Sequence, residues 1–272
     1  MFLSHINDIP RGCTQPLKQF NNQKFLLNDS GEVTFGHNIC PHQGSVIVAG
    51  RQSELKCRYH GWTWDFRGNP TSQGYTSVCN DTKLKLKPTY DYNGLLFDQP
   101  IDIPSIPVDF RGMQLKETRV DTVNASPKNI MNLFLDVDHI PVVHKGVYEQ
   151  IGIDNTDIEW EYFNNGSIQK VRNNNKFSAF WIALYPHVMI EWQQGALFVT
   201  AMTPIEKNKT DVVVWKYSDD SDLWKLNESV WETAWAQDKE QAERLVGGST
   251  TSNLEPQKIH FLNWTENAIN AQ

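Results

Sequence analysis

The sequence predicts an α+β fold in two parts, a small antiparallel β domain over residues 1–105 and a sheet-and-helix domain over residues 106–272. Three observations carry this expectation. The first hundred residues break into short β-prone runs separated by turn residues. Residues 157–217 hold longer apolar runs of strand length. Asn227 to Val246 keeps a helical period until Gly247-Gly248 stops it. A curved antiparallel sheet with helices packed against it is the natural outcome of such a pattern in the second part.

In the first part the strand candidates are Lys24–Leu27, Val33–Phe35, Val46–Val48, Leu55–Lys56, Trp62–Phe66 and Leu95–Phe97. Asn28-Asp29-Ser30-Gly31, Ala49-Gly50 and Arg67-Gly68-Asn69-Pro70 punctuate them. Gln99 to Pro107 carries Pro100, Pro104 and Pro107 and reads as a crossing linker. Lys128 to about Ile140 is helical in pattern. FSAFWIALY, HVMIEW, GALFVTAM and DVVVWKY are the clearest strands of the second part.

The bulk numbers exclude several function classes. A net charge of −7 argues against a nucleic-acid partner, which would call for a basic face. No apolar run approaches the roughly 20 residues that span a bilayer. The start, MFLSHINDIP, lacks the basic n-region and apolar core of a signal peptide. Cys13, Cys40, Cys57 and Cys79 are too few for a disulfide scaffold, so the expected compartment is the cytoplasm.

Cys40-Pro41-His42 and Cys57-Arg58-Tyr59-His60 form C-x-H, fourteen residues, then C-x-x-H. Two thiolates and two imidazoles in short pairs suit a metal, because each pair can clasp it from a single loop. Zinc in a Cys2His2 site is one reading. The other is a [2Fe–2S] cluster with two thiolates on one iron and two imidazoles on the other. Both pairs fall between strand candidates and turns, and no helix carries the H-x(3–5)-H pair of a zinc finger.

A second constellation lies in NIMNLFLDVDHIPVVH, where Asp136, His139 and His144 spell D-x-x-H-x-x-x-x-H. On a helix over 129–140, Asn132, Asp136 and His139 would share one stripe. Pro141 would bend or end that helix and let His139 and His144 converge on one ion. Alone, the pair reads equally well as two solvated histidines. In the helix from Asn227 to Val246, Trp231, Trp235, Asp238, Ala242 and Leu245 advance by 4, 3, 4 and 3, the spacing of a buried seam. A carboxylate in that seam needs a cation, either a metal or a Lys or Arg partner. Two histidines and a carboxylate are the facial triad of mononuclear Fe(II).

The loops CPHQG and CRYHGWTWDFRG, the D-x-x-H-x-x-x-x-H segment, LYPHVMI and AQDKEQAE together resemble the catalytic (alpha) subunits of Rieske non-haem iron oxygenases, with a lean to the choline/betaine monooxygenase-like branch. The resemblance implies a Rieske domain followed by a helix-grip catalytic domain. It implies a [2Fe–2S] Rieske cluster on Cys40, His42, Cys57 and His60, and mononuclear Fe(II) on His139, His144 and Asp238. Asp136 would bridge His139 to the partner subunit's His60 in a ring of three, and Asn132 would sit near the iron. The implied activity is that of a terminal oxygenase, in which a ferredoxin or flavin reductase supplies electrons and O2 is used to hydroxylate or demethylate a small organic substrate. A Rieske electron carrier without oxygenase activity would leave the second constellation unexplained, and a zinc-stabilised module is the remaining alternative. Cys13 and Cys79 lie outside the loops, which separates the chain from the disulfide-bearing bc-type proteins. Trp160, Phe180, Trp181, Tyr185, Trp192 and Phe198 are the aromatic candidates for lining a pocket that takes an aromatic or a quaternary amine.

Overall fold

A computed structural model describes residues 1–72, 82–153, 158–173, 176–245 and 255–270. It divides into two compact units, one of residues 1–101 with 108–111 and one of residues 102–107 with 112–272. Cys79 and Gly247-Gly248 lie outside the described residues.

The first unit contains β1 (Phe2–His5), β2 (Cys13–Pro16), β3 (Lys24–Asp29), β4 (Glu32–His37), β5 (Leu55–Lys56), β6 (Thr63–Trp64), β7 (Pro70–Ser72), β8 (Leu86–Pro88), β9 (Tyr90–Tyr92) and β10 (Leu95–Phe97). They pair as three antiparallel sheets in the orders β1-β10-β9, β2-β3-β4-β8 and β5-β6-β7. The β3–β4 hairpin closes on Ser30 and Gly31, both with positive φ (56° and 112°), as a two-residue turn of matching twist requires.

The expected strand at Val46–Val48 does not form. Ile47 and Val48 are buried, but their N–H groups donate to Asn38 Oδ1 at 3.2 and 2.7 Å, and Asn38 Nδ2 donates back to the Val48 carbonyl at 2.7 Å. One buried amide side chain thus satisfies backbone that a neighbouring strand would otherwise pair. Trp62–Phe66 shortens to β6, because Asp65 Oδ1 accepts the Arg67 and Asn69 N–H groups and turns the chain.

The second unit is built on one seven-stranded antiparallel sheet. Its strands are β11 (Gln114–Val123), β12 (Ile158–Phe163), β13 (Gly166–Asn173), β14 (Lys176–Leu184), β15 (Val188–Gln193), β16 (Ala196–Glu206) and β17 (Lys209–Ser218). β12 to β17 run as a meander, and β11 adds outside β17. Both faces of the central strands are buried. Ala179 and Trp181 pack in one cluster with Tyr148, Val230 and Ala234, whereas Phe180 and Ile182, on the opposite face, are also inaccessible. That double burial explains the unbroken apolar runs. β11 escaped the sequence reading because it is an edge strand on which Val123 alone is fully buried.

Among the described residues four α-helices pack in this unit: α1 (Pro127–Phe134), α2 (Ile140–Val143), α3 (Trp224–Arg244) and α4 (Pro256–Asn270). The single helix expected over Lys128 to Ile140 is corrected to two. α1 starts on Ser126, whose side chain accepts the Asn129 N–H, with Pro127 in its first turn. It ends at Phe134. Asp136 Oδ1 then accepts the Asp138 N–H at 3.1 Å, a local turn that competes with helix continuation. Pro141, which cannot donate, falls in the first turn of α2, where no donor is needed. Asn132, Asp136 and His139 therefore occupy a helix, a turn and an N-cap, not one stripe.

α3 buries Trp231, Trp235, Asp238 and Ala242 as the seam spacing predicts. Leu245 does not join them: it caps the helix and is 44% exposed. Lys216 on β17, 2% exposed, pairs with Glu117, with Glu228 at 3.2 Å and with Glu232. Arg119 on β11 grips Glu232 with bonds of 2.7 and 2.8 Å, and Trp235 Nε1 donates to Asp121 at 2.7 Å. These contacts fix α3 against β11 and β17, with the charges paired several times over.

Candidate metal centres

In the first unit, two loops of matching backbone shape carry Cys40 and His42, and Cys57 and His60. The Cys40 N–H donates to the Ser45 carbonyl at 2.7 Å, and the Gly44 N–H returns to the Cys40 carbonyl at 2.9 Å. The second loop repeats the pattern from Cys57 to Trp62 at 2.8 Å and from Gly61 to Cys57 at 2.9 Å. Gly44 and Gly61 take φ of 73° and 74°, so each loop needs glycine after its histidine segment. C-x-H and C-x-x-H are thus two forms of one turn.

Both cysteines are buried, at 3% and 1% exposure, and neither is in a disulfide. Burial pushes the Cys40 thiol up. At Cys57 burial acts the same way but is outweighed by the Tyr59 and His60 backbone N–H groups and by the Cys40 and Ser45 side chains, leaving it below the ordinary thiol value. The His42 and His60 rings stand 4.8 Å apart, and each has a buried Nδ1 with no hydrogen-bond partner. Two buried thiols facing two buried, unpartnered imidazole nitrogens suit a group that accepts four lone pairs, with sulfur and nitrogen ligands segregated as a Rieske cluster requires. Trp62, fully buried, stacks on His42 at 4.7 Å with the rings 3° from parallel and holds it in place.

In the second unit, His139 and His144 flank α2 as its N-cap and C-cap residues, and α3 supplies Asp238 from across the core. His139 Nε2 lies 3.0 Å from His144 Nε2 and 3.2 Å from Asp238 Oδ1, and His144 Nε2 lies 2.9 Å from Asp238 Oδ1. His144 Nδ1 donates to Gln237 Oε1 at 2.7 Å, so its Nε2 presents a lone pair to the other two groups. Three acceptors meeting this closely need a cation, and two imidazoles with one carboxylate suit ferrous iron. Burial alone would raise the Asp238 pKa, but the adjoining His139 and His144 imidazoles outweigh it and hold the carboxyl below its ordinary value. No Lys or Arg pairs with Asp238 among the described residues.

Asp136 is not hydrogen-bonded to His139. Its Oδ1 is 4.0 Å from His139 Nδ1, and its Oδ2 pairs with Lys258 at 2.8 Å. Asn132, on α1, has a buried Oδ1 without a partner and is not among the residues lining the cavity beside the histidines. That cavity, of about 30 Å³, is bounded by Phe134, Tyr148, Gln169, Trp181, Met189 and Glu191 as well as the three convergent groups.

Of the six aromatic candidates, Trp181 alone lines this cavity. Phe180 points to the other sheet face against Trp192, Phe198 stacks on Trp231, Tyr185 packs on Phe261 and Trp264, and Trp160 stacks on Tyr162. Sequence reasoning missed Gln237, Glu191 and Lys258. Glu191 carried a visible signal, an acid inside the apolar run HVMIEW. It is 6% exposed, accepts from Trp231 Nε1 at 3.0 Å, and is pushed up to about 7 by burial. Burial also raises the Tyr148 hydroxyl well above its usual range.

A family described as the Rieske [2Fe-2S] domain matches residues 1–80. Putrescine 2-hydroxylase of Ralstonia nicotianae is 24% identical over 83% of this chain and 73% of its own. Residues 1–80 thus belong to the Rieske [2Fe-2S] domain family. Chloroplastic choline monooxygenase of Atriplex hortensis is 22% identical over 74% of this chain and 54% of the relative. The quaternary ammonium Rieske monooxygenase CntA shares the fold, with a TM-score of 0.78 at 12% identity over 99% of this chain and 87% of that one. A [2Fe–2S] Rieske centre in the first unit and a candidate mononuclear metal site in the second are the cofactor sites of a Rieske-type oxygenase. None of the helices in the described residues is long and apolar enough to cross a membrane.

Proposed function

We propose that this oxygenase hydroxylates or demethylates a small cationic amine, with iron held by His139, His144 and Asp238 and the cluster by Cys40, His42, Cys57 and His60. The observation that carries the iron assignment is the meeting of His139 Nε2, His144 Nε2 and Asp238 Oδ1 within 3.2 Å of one another. The iron would supply reductive activation of O2 at the triad's open side. The protein's part is to orient and to exclude water. Gln237 fixes the His144 ring, Phe134, Ile140 and Met189 bring apolar surface to the cavity, and Tyr148, also in its lining, is held protonated by burial.

The amine assignment is supported by the relatives, whose names specify putrescine, choline and quaternary ammonium compounds, all bearing a cationic nitrogen.

The first unit serves as the electron-receiving domain and the second as the catalytic domain, in a cytoplasmic ring of three. Asp136 links His139 to the partner subunit's His60 in that assembly. The unpartnered His139 Nδ1, 4.0 Å from Asp136, supports this role. Iron and acid-labile sulfide analysis with electron paramagnetic resonance tests the two centres, and sedimentation tests the trimer. His139→Ala should keep the cluster signal while losing the mononuclear iron and O2-dependent product. Full turnover by that variant would sink the assignment.

A further inference from the structure

We infer that Gln169, Trp181 and Glu191 form a recognition row for an ammonium group that carries N–H donors, so that the enzyme selects primary amines over quaternary ones. This deepens, and rests on, the amine-oxygenase reading above.

The row is a product of register. Gln169 on β13 lies directly opposite Trp181 on β14, and Trp181 lies opposite Glu191 on β15. Residues paired across antiparallel strands project from the same face of the sheet. All three line the cavity that also borders His139, His144 and Asp238. Each is nearly inaccessible, at 2%, 6% and 6% exposure.

Their hydrogen bonding is incomplete. Gln169 uses Nε2 toward the Phe134 carbonyl at 3.3 Å, while its Oε1 is buried with no partner. Glu191 accepts from Trp231 Nε1, and no Lys or Arg pairs with it among the described residues. A buried carboxylate and a buried amide oxygen on one wall call for a ligand with positive charge and more than one donor. A primary ammonium offers both. A quaternary ammonium offers charge alone and would leave the Gln169 oxygen unmet. Trp181, between the two acceptors, brings an aromatic neighbour for a cation and a buried Nε1 that also lacks a partner. It therefore contributes affinity without distinguishing the two classes.

The test is anaerobic calorimetric titration of the iron- and cluster-loaded enzyme with 1,4-diaminobutane, 1,4-bis(trimethylammonio)butane and 1,4-butanediol, alongside steady-state turnover of each. The diamine should bind at least tenfold more tightly than either analogue. Glu191→Gln keeps an acceptor for Trp231 but removes the charge, and should cut the preference for diamine over diol at least tenfold. Gln169→Met should cut the preference for diamine over its trimethylated analogue. Equal binding of the two cations, no binding of any probe, or an unchanged diamine-to-diol preference in Glu191→Gln would each overturn the inference. Charge-selective binding with no O2-dependent product would leave the row standing and count against the oxygenase reading instead.

Discussion

The Nδ1 of His144 donates to Gln237 Oε1 at 2.7 Å, and the next residue along α3, Asp238, meets the other nitrogen of the same ring at 2.9 Å. One helical step therefore supplies both the group that aims the imidazole and the carboxylate that shares its ion. Replacing Gln237 by Leu should weaken iron binding about 10–100-fold, since the ring loses the partner that sets its tautomer. Competition for ferrous iron against a chelator would measure this. Unchanged affinity would show that packing alone orients His144.

Trp62 should be needed to retain the cluster. It is fully buried and stacks on His42 at 4.7 Å. Trp62→Ala should cost about 3–5 kcal/mol of stability in the first unit and lower cluster occupancy, whereas Trp62→Phe should keep most of both. Thermal unfolding followed at the cluster's visible absorbance distinguishes the two variants.

Much of this was legible before any coordinates. Asp238 declared itself as an acid in an apolar seam, and the paired Cys/His loops declared a metal-binding site by spacing, with the choice between zinc and a cluster resting on their context and resemblance. What could not be read was set by register and by turn chemistry. Gln169, Trp181 and Glu191 are far apart in sequence and meet only because β13, β14 and β15 pair as they do. The break after Phe134 depends on Asp136 choosing a local backbone bond over a helical position. Lys216, a charged residue ending the run DVVVWK, is buried only because three glutamates from β11 and α3 surround it.

Glu191 should give the metal-free protein a pH-dependent stability. Its folded pKa is about 7 against an ordinary value of 4.5, so between these values the folded state holds a proton that the unfolded chain has released. The Glu191 contribution to stability then falls as pH rises from 4.5 to about 7, by a total of about 3 kcal/mol. Glu191→Gln should make the slope over this range shallower by that contribution. Denaturant unfolding at several pH values, compared between wild type and variant, checks the sign.

Lys216→Met should destabilise the second unit by about 2 kcal/mol, less than the usual 3–5 kcal/mol for a broken buried pair. The discount arises because Glu117, Glu228 and Glu232 are 42%, 33% and 33% exposed and can take up water, and Arg119 still holds Glu232. Because α3 also carries Asp238, iron affinity should drop with stability. Urea midpoints and iron titration on the same preparation would show whether the two move together.

The proposed iron ligands come from α2 and α3, whereas the wall facing the substrate comes from β13, β14 and β15. That division of labour has an evolutionary consequence. Substitutions across three sheet positions could retarget the enzyme to a new amine without disturbing the redox machinery. A lineage built on this scaffold could therefore diversify its diet by drifting in the sheet while its helices stay under purifying selection.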